Sequence, residues 1–177
     1  FPLFLNNVIM LYDFNKISEV LIMRVEAPIK VDRKTKRLAK RLTGGEIAVI
    51  NHMDIDEVAA NSLVEGKVKL VINAAQSISG KYPNKGPGIL TDKNILIIDN
   101  VGQELFDELK EGQIIEVNNG QIYRDGQLLG EGSVLDKEKV SIKIKEAYDN
   151  MSVELDRFID NTIEYAKKEK GFILGEV

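Results

Sequence analysis

The chain has 177 residues, 44% of them apolar and 29% charged, which suits one domain with a buried core plus an appendage. A formal net charge of −4 argues against nucleic acid as a partner, and the lack of cysteine excludes disulfides, thiolate chemistry and cysteine–zinc sites. The single His52 excludes any site that needs two histidines from one chain, and no apolar run approaches the ~20 residues of a membrane span.

Residues 1–22 read as an N-terminal extension. Phe1–Leu5 is apolar, but too short and too uncharged for a secretion signal. Leu11–Ile22 has helical spacing, with Phe14, Ile17, Leu21 and Ile22 on one side. Met23 is a candidate start. The apolar run Gly171–Val177 shows no obvious end to the fold, so the chain is expected to be a fragment of a longer protein.

Residues 23–135 read as an α/β domain. Met23–Val31 is an expected strand, placed at an edge because Pro28 interrupts it. Six of the nine residues from Arg33 to Arg41 are basic. Leu38 and Leu42 give this segment one apolar helix edge, and Gly44-Gly45 ends it. A solvated face is the simpler reading. Contact with an acidic partner, a nucleotide phosphate or anionic lipid is the sharper one.

Glu46–Asn51 is the next strand. Asp54 and Glu57 have capping-box spacing for a helix running to Glu65, with Ile55, Val58, Ala59 and Leu63 inward and Gly66 as its stop. His52, Asp54 and Asp56 read as a cap beside a hydrogen-bonded histidine ahead of a metal site.

Val68–Ile72 and Ile95–Ile98 are short runs of Ile, Val and Leu, the pattern of buried strands in a mainly parallel sheet. Asn73, Asp99 and Asn100 follow at the carboxyl ends, where open α/β sheets place ligand crevices. Between the runs lies the loop Gln76–Gly88, stiffened by Pro83 and Pro87. It carries Ser77, Ser79, Gly80, Lys81, Tyr82, Asn84, Lys85 and Gly86. Hydroxyls, lysines and glycine-exposed N–H groups suit an anion, so a phosphorylated small molecule is the expected ligand. An ordinary surface turn is the competing reading. Ala74–Lys81 ends in Gly-Lys but lacks the leading glycine of a Walker A loop, and Tyr82 stands where Ser or Thr would hold magnesium.

Gln103–Leu109 suits a short helix. Gln113–Asn118, Gln121–Arg124 and Gln127–Gly132, joined at Asn119-Gly120 and Asp125-Gly126, read as a β-meander. Residues 136–170 read as a long helix linking to a further domain. Asp136 is its N-cap and Gly171 its stop. Val140, Ile144, Ala147, Met151, Leu155, Phe158, Thr162 and Tyr165 form one stripe that could pair with a second copy or a following domain.

Several blocks resemble the SteA-like family of putative cytokinetic-ring proteins of Gram-positive bacteria. They are Val31–Leu38, Gly45–Asp56, Val71–Ala74, Ser77–Asn84, Ile97–Gly102 and Asn161–Ala166, of which Ser-Ile-Ser-Gly-Lys-Tyr-Pro-Asn is the most distinctive. The resemblance implies an N-terminal domain, then a domain similar to thiamine pyrophosphokinase, then a C-terminal hydrophobic anchor. It also implies a place in cell division, with division proteins as partners. The chain would be cytoplasmic and membrane-tethered only through the missing segment; ATP and Mg²⁺ would belong to the following domain.

The order of elements also resembles the swivelling β/β/α domain of phosphoenolpyruvate-utilising enzymes, but the matching loop has no histidine to carry a phosphoryl group. The expected role is a non-catalytic regulatory or interaction domain. The alternative is part of a pyrophosphokinase-like enzyme, with Lys81 on phosphate and Asp99 as general base or metal ligand.

Overall fold

The computed structural model describes residues 3–5, 8–11 and 22–175. The helix expected over residues 11–22 falls largely outside them. Among the described residues ten strands form one mixed sheet, flanked by helices and followed by a long helix. The parallel part is β3 (Ile22–Asp32), β4 (Ile47–Ile50), β5 (Leu70–Asn73) and β6 (Leu96–Asp99), side by side in chain order. Helices α1 (Thr35–Ala39), α2 (Glu57–Glu65) and α3 (Gly86–Asp92) fill the crossovers.

Every residue of β4 and β5 is buried. Alternate side chains serve two cores, as a strand period of two requires. Ala48, Ile50, Val71 and Ile97 pack under the helices with Leu38, Ala60, Leu63 and Leu90. Ile47, Val49, Leu70, Ile72 and Ile98 face the opposite core with Val25, Ile115, Val117 and Ile122. That second core is closed by α4 (Gln103–Glu108), through Leu105 and Phe106, and by the antiparallel strands β7 (Ile114–Asn118) and β8 (Gln121–Arg124). Strand β9 (Gln127–Glu131) pairs β8 and completes the meander.

Strand β3 is central and not an edge. Arg24–Pro28 pairs antiparallel with β7, and Ile29–Asp32 pairs parallel with β4. Ile29 donates its N–H to the Gln113 carbonyl, so the nitrogen of Pro28 faces the other side of the strand. On that side the described pairs run from Ile22–Arg24 with β2 (Val8–Leu11) and resume at Ile29 with β4. The missing donor of proline therefore falls in a gap between partners. Strand β2 in turn pairs β1 (Leu3–Leu5).

Four elements escaped the sequence reading, two of them the N-terminal strands β1 and β2. Helix α3 begins inside the expected loop, with a proline in its first turn. Strand β10 (Ser133–Leu135) leaves the meander after one residue and pairs antiparallel with β6. That residue is Gly132, where a Cβ would lie 2.6 Å from the Asp99 carbonyl oxygen.

The cap of α2 is Asp56, whose carboxylate accepts the Ala59 N–H at 2.7 Å, and not Asp54. The helix starts later than expected, which turns Val58 outward to 70% exposure while Ala59, Ala60 and Leu63 stay buried.

Helix α5 (Lys137–Leu174) starts as expected at Asp136, which accepts the Lys139 N–H. It runs through Gly171, because one helical glycine costs only about 1 kcal/mol. Its cap is Gly175, in the left-handed conformation at φ +68°. Among the described residues no helix is long and apolar enough to cross a membrane.

Two arginines of the basic segment fold back on its own domain. Asp32, buried at the end of β3, accepts from Arg37 Nε at 2.7 Å and Arg41 Nη1 at 3.0 Å. Arg41 also reaches Glu111 at 2.9 Å. The Lys34 backbone N–H also donates to Asp32, at 2.9 Å, but the side chains of Lys34, Lys36 and Lys40 are not in this cluster. Hydrogen bonds from Arg37 hold the Asp32 carboxyl far below the usual carboxylate range, against the opposing effect of burial. Its folded-state pKa lies below the unfolded one, so its stabilisation is complete above the ordinary carboxylate range and fades as pH falls through it. Asp32→Ala should cost about 2 kcal/mol at neutral pH. In urea titrations the gap to wild type should narrow steadily below about pH 4. A gap independent of pH would show that the charge is not what stabilises this corner.

Candidate functional site

The carboxyl ends of β4, β5 and β6 carry a buried polar network. Asn73, at the end of β5, uses its whole amide. Its Oδ1 accepts the N–H groups of His52 and Ala75, and its Nδ2 donates to the His52 carbonyl and to Ser77 Oγ, both at 2.8 Å. Ser77 passes the chain on. Its Oγ–H and its backbone N–H both donate to Asp99 Oδ1, at 2.7 and 2.8 Å. Burial pushes the Asp99 carboxyl above its ordinary range, and the two Ser77 donors and the charge of Lys143 partly oppose that.

A second pair ties the loop to the segment before α2. Asp54, at φ +53°, accepts the Ser79 N–H at 2.7 Å and the Ser79 hydroxyl at 2.9 Å. Asn84 is buried and donates to the carbonyls of Ile55 and Ser77, while its Oδ1 has no partner. Gly86 lies so close that a Cβ there would sit 2.2 Å from the Ile55 oxygen. Any side chain at this position would push α3 away from α2.

The ten residues singled out in the sequence thus fall into two groups. Asn73, Ser77, Ser79, Asn84, Gly86 and Asp99 are brought together, and apart from the Asn84 Oδ1 their hydrogen bonds run to one another, to Asp54 and to the backbone. Gly80, Lys81, Tyr82 and Asn100 lie on the outer side. Tyr82 is 52% exposed. Asn100 is exposed at φ +56°, and its N–H donates to the Ala75 carbonyl. An anion at this loop would meet Lys81 and Lys85, because the Ser77 and Ser79 hydroxyls already donate to carboxylates. The parallel strands follow chain order without reversal, so the sheet has no topological switch point to open a crevice there.

A separate groove of about 440 Å³ lies beside α2. Arg33, Lys34, Lys36, His52, Met53 and Val58 are among its walls. In it His52 Nδ1 is 3.0 Å from Thr35 Oγ1, and Nε2 is 3.6 Å from Asp56. Neither Thr35 nor the Asp54–Ser79 pair was legible in the sequence, where Asp54 has the spacing of a cap. Among the described residues no three His, Cys, Asp or Glu side chains form a metal-binding group. No protein-family model and no curated protein matches the chain.

The division into inner and outer residues is open to direct test. Ser77→Ala should cost about 1–3 kcal/mol, since it leaves buried Asp99 and Asn73 short of a partner. Lys81→Ala should change stability by no more than about 0.5 kcal/mol. Asp99→Asn keeps an acceptor for Ser77 without the charge. The raised folded-state pKa of Asp99 means that its ionisation opposes folding as pH rises. The asparagine variant should therefore gain on wild type between about pH 4 and pH 7 in thermal melts. Equal losses for Ser77→Ala and Lys81→Ala would refute the division.

Proposed function

We propose that this chain is a non-catalytic interaction domain of a SteA-like bacterial cell-division protein: an α/β head holding out a helical arm through which the protein associates. The arm is the part of α5 beyond Asn150. One observation carries the reading. The face that seats Val140 and Ala147 in the head continues as Met151, Leu155, Phe158, Thr162 and Tyr165, and all five are exposed. Leu155 is 53% and Phe158 66% exposed. Covering a side chain of this size contributes roughly 1.5–3 kcal/mol. In proteins most helical stability comes from packing an apolar face rather than from propensity, so an uncovered stripe favours a partner along it.

The head supports a non-catalytic role. In its most concentrated set of polar groups the hydroxyls of Ser77 and Ser79 and the amide of Asn73 already have partners, and the Asp99 carboxyl that an enzyme would use as base is buried against Ser77. The family resemblance supplies the division context and a following kinase-like domain, to which ATP and Mg²⁺ would belong.

Amide hydrogen exchange tests the association. Residues 151–174 should exchange slowly in the wild-type chain at high protein concentration. Leu155→Glu with Phe158→Glu should return them to the rate of a fraying helix and leave the head protected. Fast exchange along the wild-type arm would overturn the reading.

A further inference from the structure

We infer that the partner of the arm is a second copy of the same chain, lying antiparallel to the first and crossing it near Asn161. This rests on the association reading above and adds the identity and direction of the partner.

The argument lies in the edge of the stripe. With Leu155 at position a of a heptad, Met151, Phe158, Tyr165 and Phe172 fall at d, and Ser152, Ile159, Ala166 and Ile173 at e. One flank of this apolar face carries Glu154, Arg157, Asn161, Glu164 and Lys168, spaced alternately by three and four residues. Read from either end, the row has the same pattern with the charges reversed: negative, positive, neutral, negative, positive. The neutral residue is at its centre.

Two such rows running in opposite directions complement each other at the three residues that flank the seam at position g, Glu154, Asn161 and Lys168. Glu154 meets Lys168 of the copy, and Asn161 meets its own counterpart, whose amide can both donate and accept; Arg157 and Glu164, at position c, stay on the outer side of the row. Within each helix Arg157 already holds Glu154 at 2.9 Å, and Lys168 holds Glu164 at 3.0 Å. Pairing the helices links these into two four-charge chains on either side of the asparagine pair, joined through Glu154 and Lys168. Leu155 is then set against Tyr165 of the copy, and Phe158 against its Thr162.

In a parallel pair the same row would face the other flank. Glu154 would lie toward Ile159 and Lys168 toward Ile173, without charge complement. Exposed ion pairs add little affinity, but they set direction and register. A polar asparagine beside an apolar seam acts in the same way.

The absence of cysteine makes the test clean. The 177-residue chain should be a dimer by light scattering. Asn161→Cys should oxidise readily to a disulfide-linked dimer. Glu154→Cys alone should not, because its two copies would lie on opposite sides of the crossing and roughly 21 Å apart, taking 1.5 Å per residue and fourteen residues between Glu154 and the position it faces. A mixture of Glu154→Cys and Lys168→Cys chains should cross-link to each other. Lys168→Glu should weaken the dimer about tenfold, from two reversed charge contacts. Adding Glu154→Lys should restore it.

Self-linkage of Glu154→Cys as fast as that of Asn161→Cys would mean a parallel pair and would overturn the inference. So would an unchanged dimer in Lys168→Glu. A monomer whose arm still exchanges slowly would defeat the second copy while leaving the association reading intact. An arm that exchanges fast would defeat the association reading itself.

Discussion

Strands buried on both faces must be covered on both, and most of this molecule answers that requirement. β4 and β5 have no exposed residue. Right-handed crossovers place α1, α2 and α3 on one face, as parallel connections do. The other face has to be covered by something else. Strand β3 solves this by outrunning its parallel partner. Its first half recruits β7, and the meander with α4 brings Leu105, Phe106, Ile115, Val117 and Ile122 onto the open side. Pro28 sits where β3 changes partners, and Gly132 sits where the chain returns to β6.

The same requirement explains the polar network. Ending strands in a closed core leaves backbone and side-chain polar groups without water. Asn73, Ser77 and Asp99 answer one another there. Asp54 and Asn84 bind the loop down so that α3 can begin at Gly86. On this view the distinctive Ser-Ile-Ser-Gly-Lys-Tyr-Pro-Asn block is first a folding device. Its two serines and its asparagine point inward, and its lysine and tyrosine are what it shows to solvent.

Much of this was legible in the chain. The apolar runs at Val68–Ile72 and Ile95–Ile98, the Asn119-Gly120 and Asp125-Gly126 turns, and Asp136 as a cap are local signals, and local chemistry decides them. What stayed hidden depended on distant partners. Pro28 reads as an edge marker until the gap between β2 and β4 is known. Asp54 has the spacing of a cap, but Ser79 claims it and Asp56 takes the role. β10 is three residues long, and only its pairing with β6 defines it. Asn73, Ser77 and Asp99 were grouped correctly by position, yet the sequence could not say whether their hydrogen-bonding capacity was free or spent.

The root of the arm has a mechanical consequence. Asn150 donates to the Gly80 carbonyl at 3.0 Å, so the exposed tip of the loop and the base of α5 are fastened together. From there the arm extends roughly 36 Å, at 1.5 Å per residue. A tilt of about 10° at the root would carry the tip roughly 6 Å, about one turn of helix. The loop and the helix therefore behave as a short and a long limb about one fulcrum. Small movements beside Lys81 and Tyr82 are geared up at the far end, and a load on the arm is returned to the loop as torque.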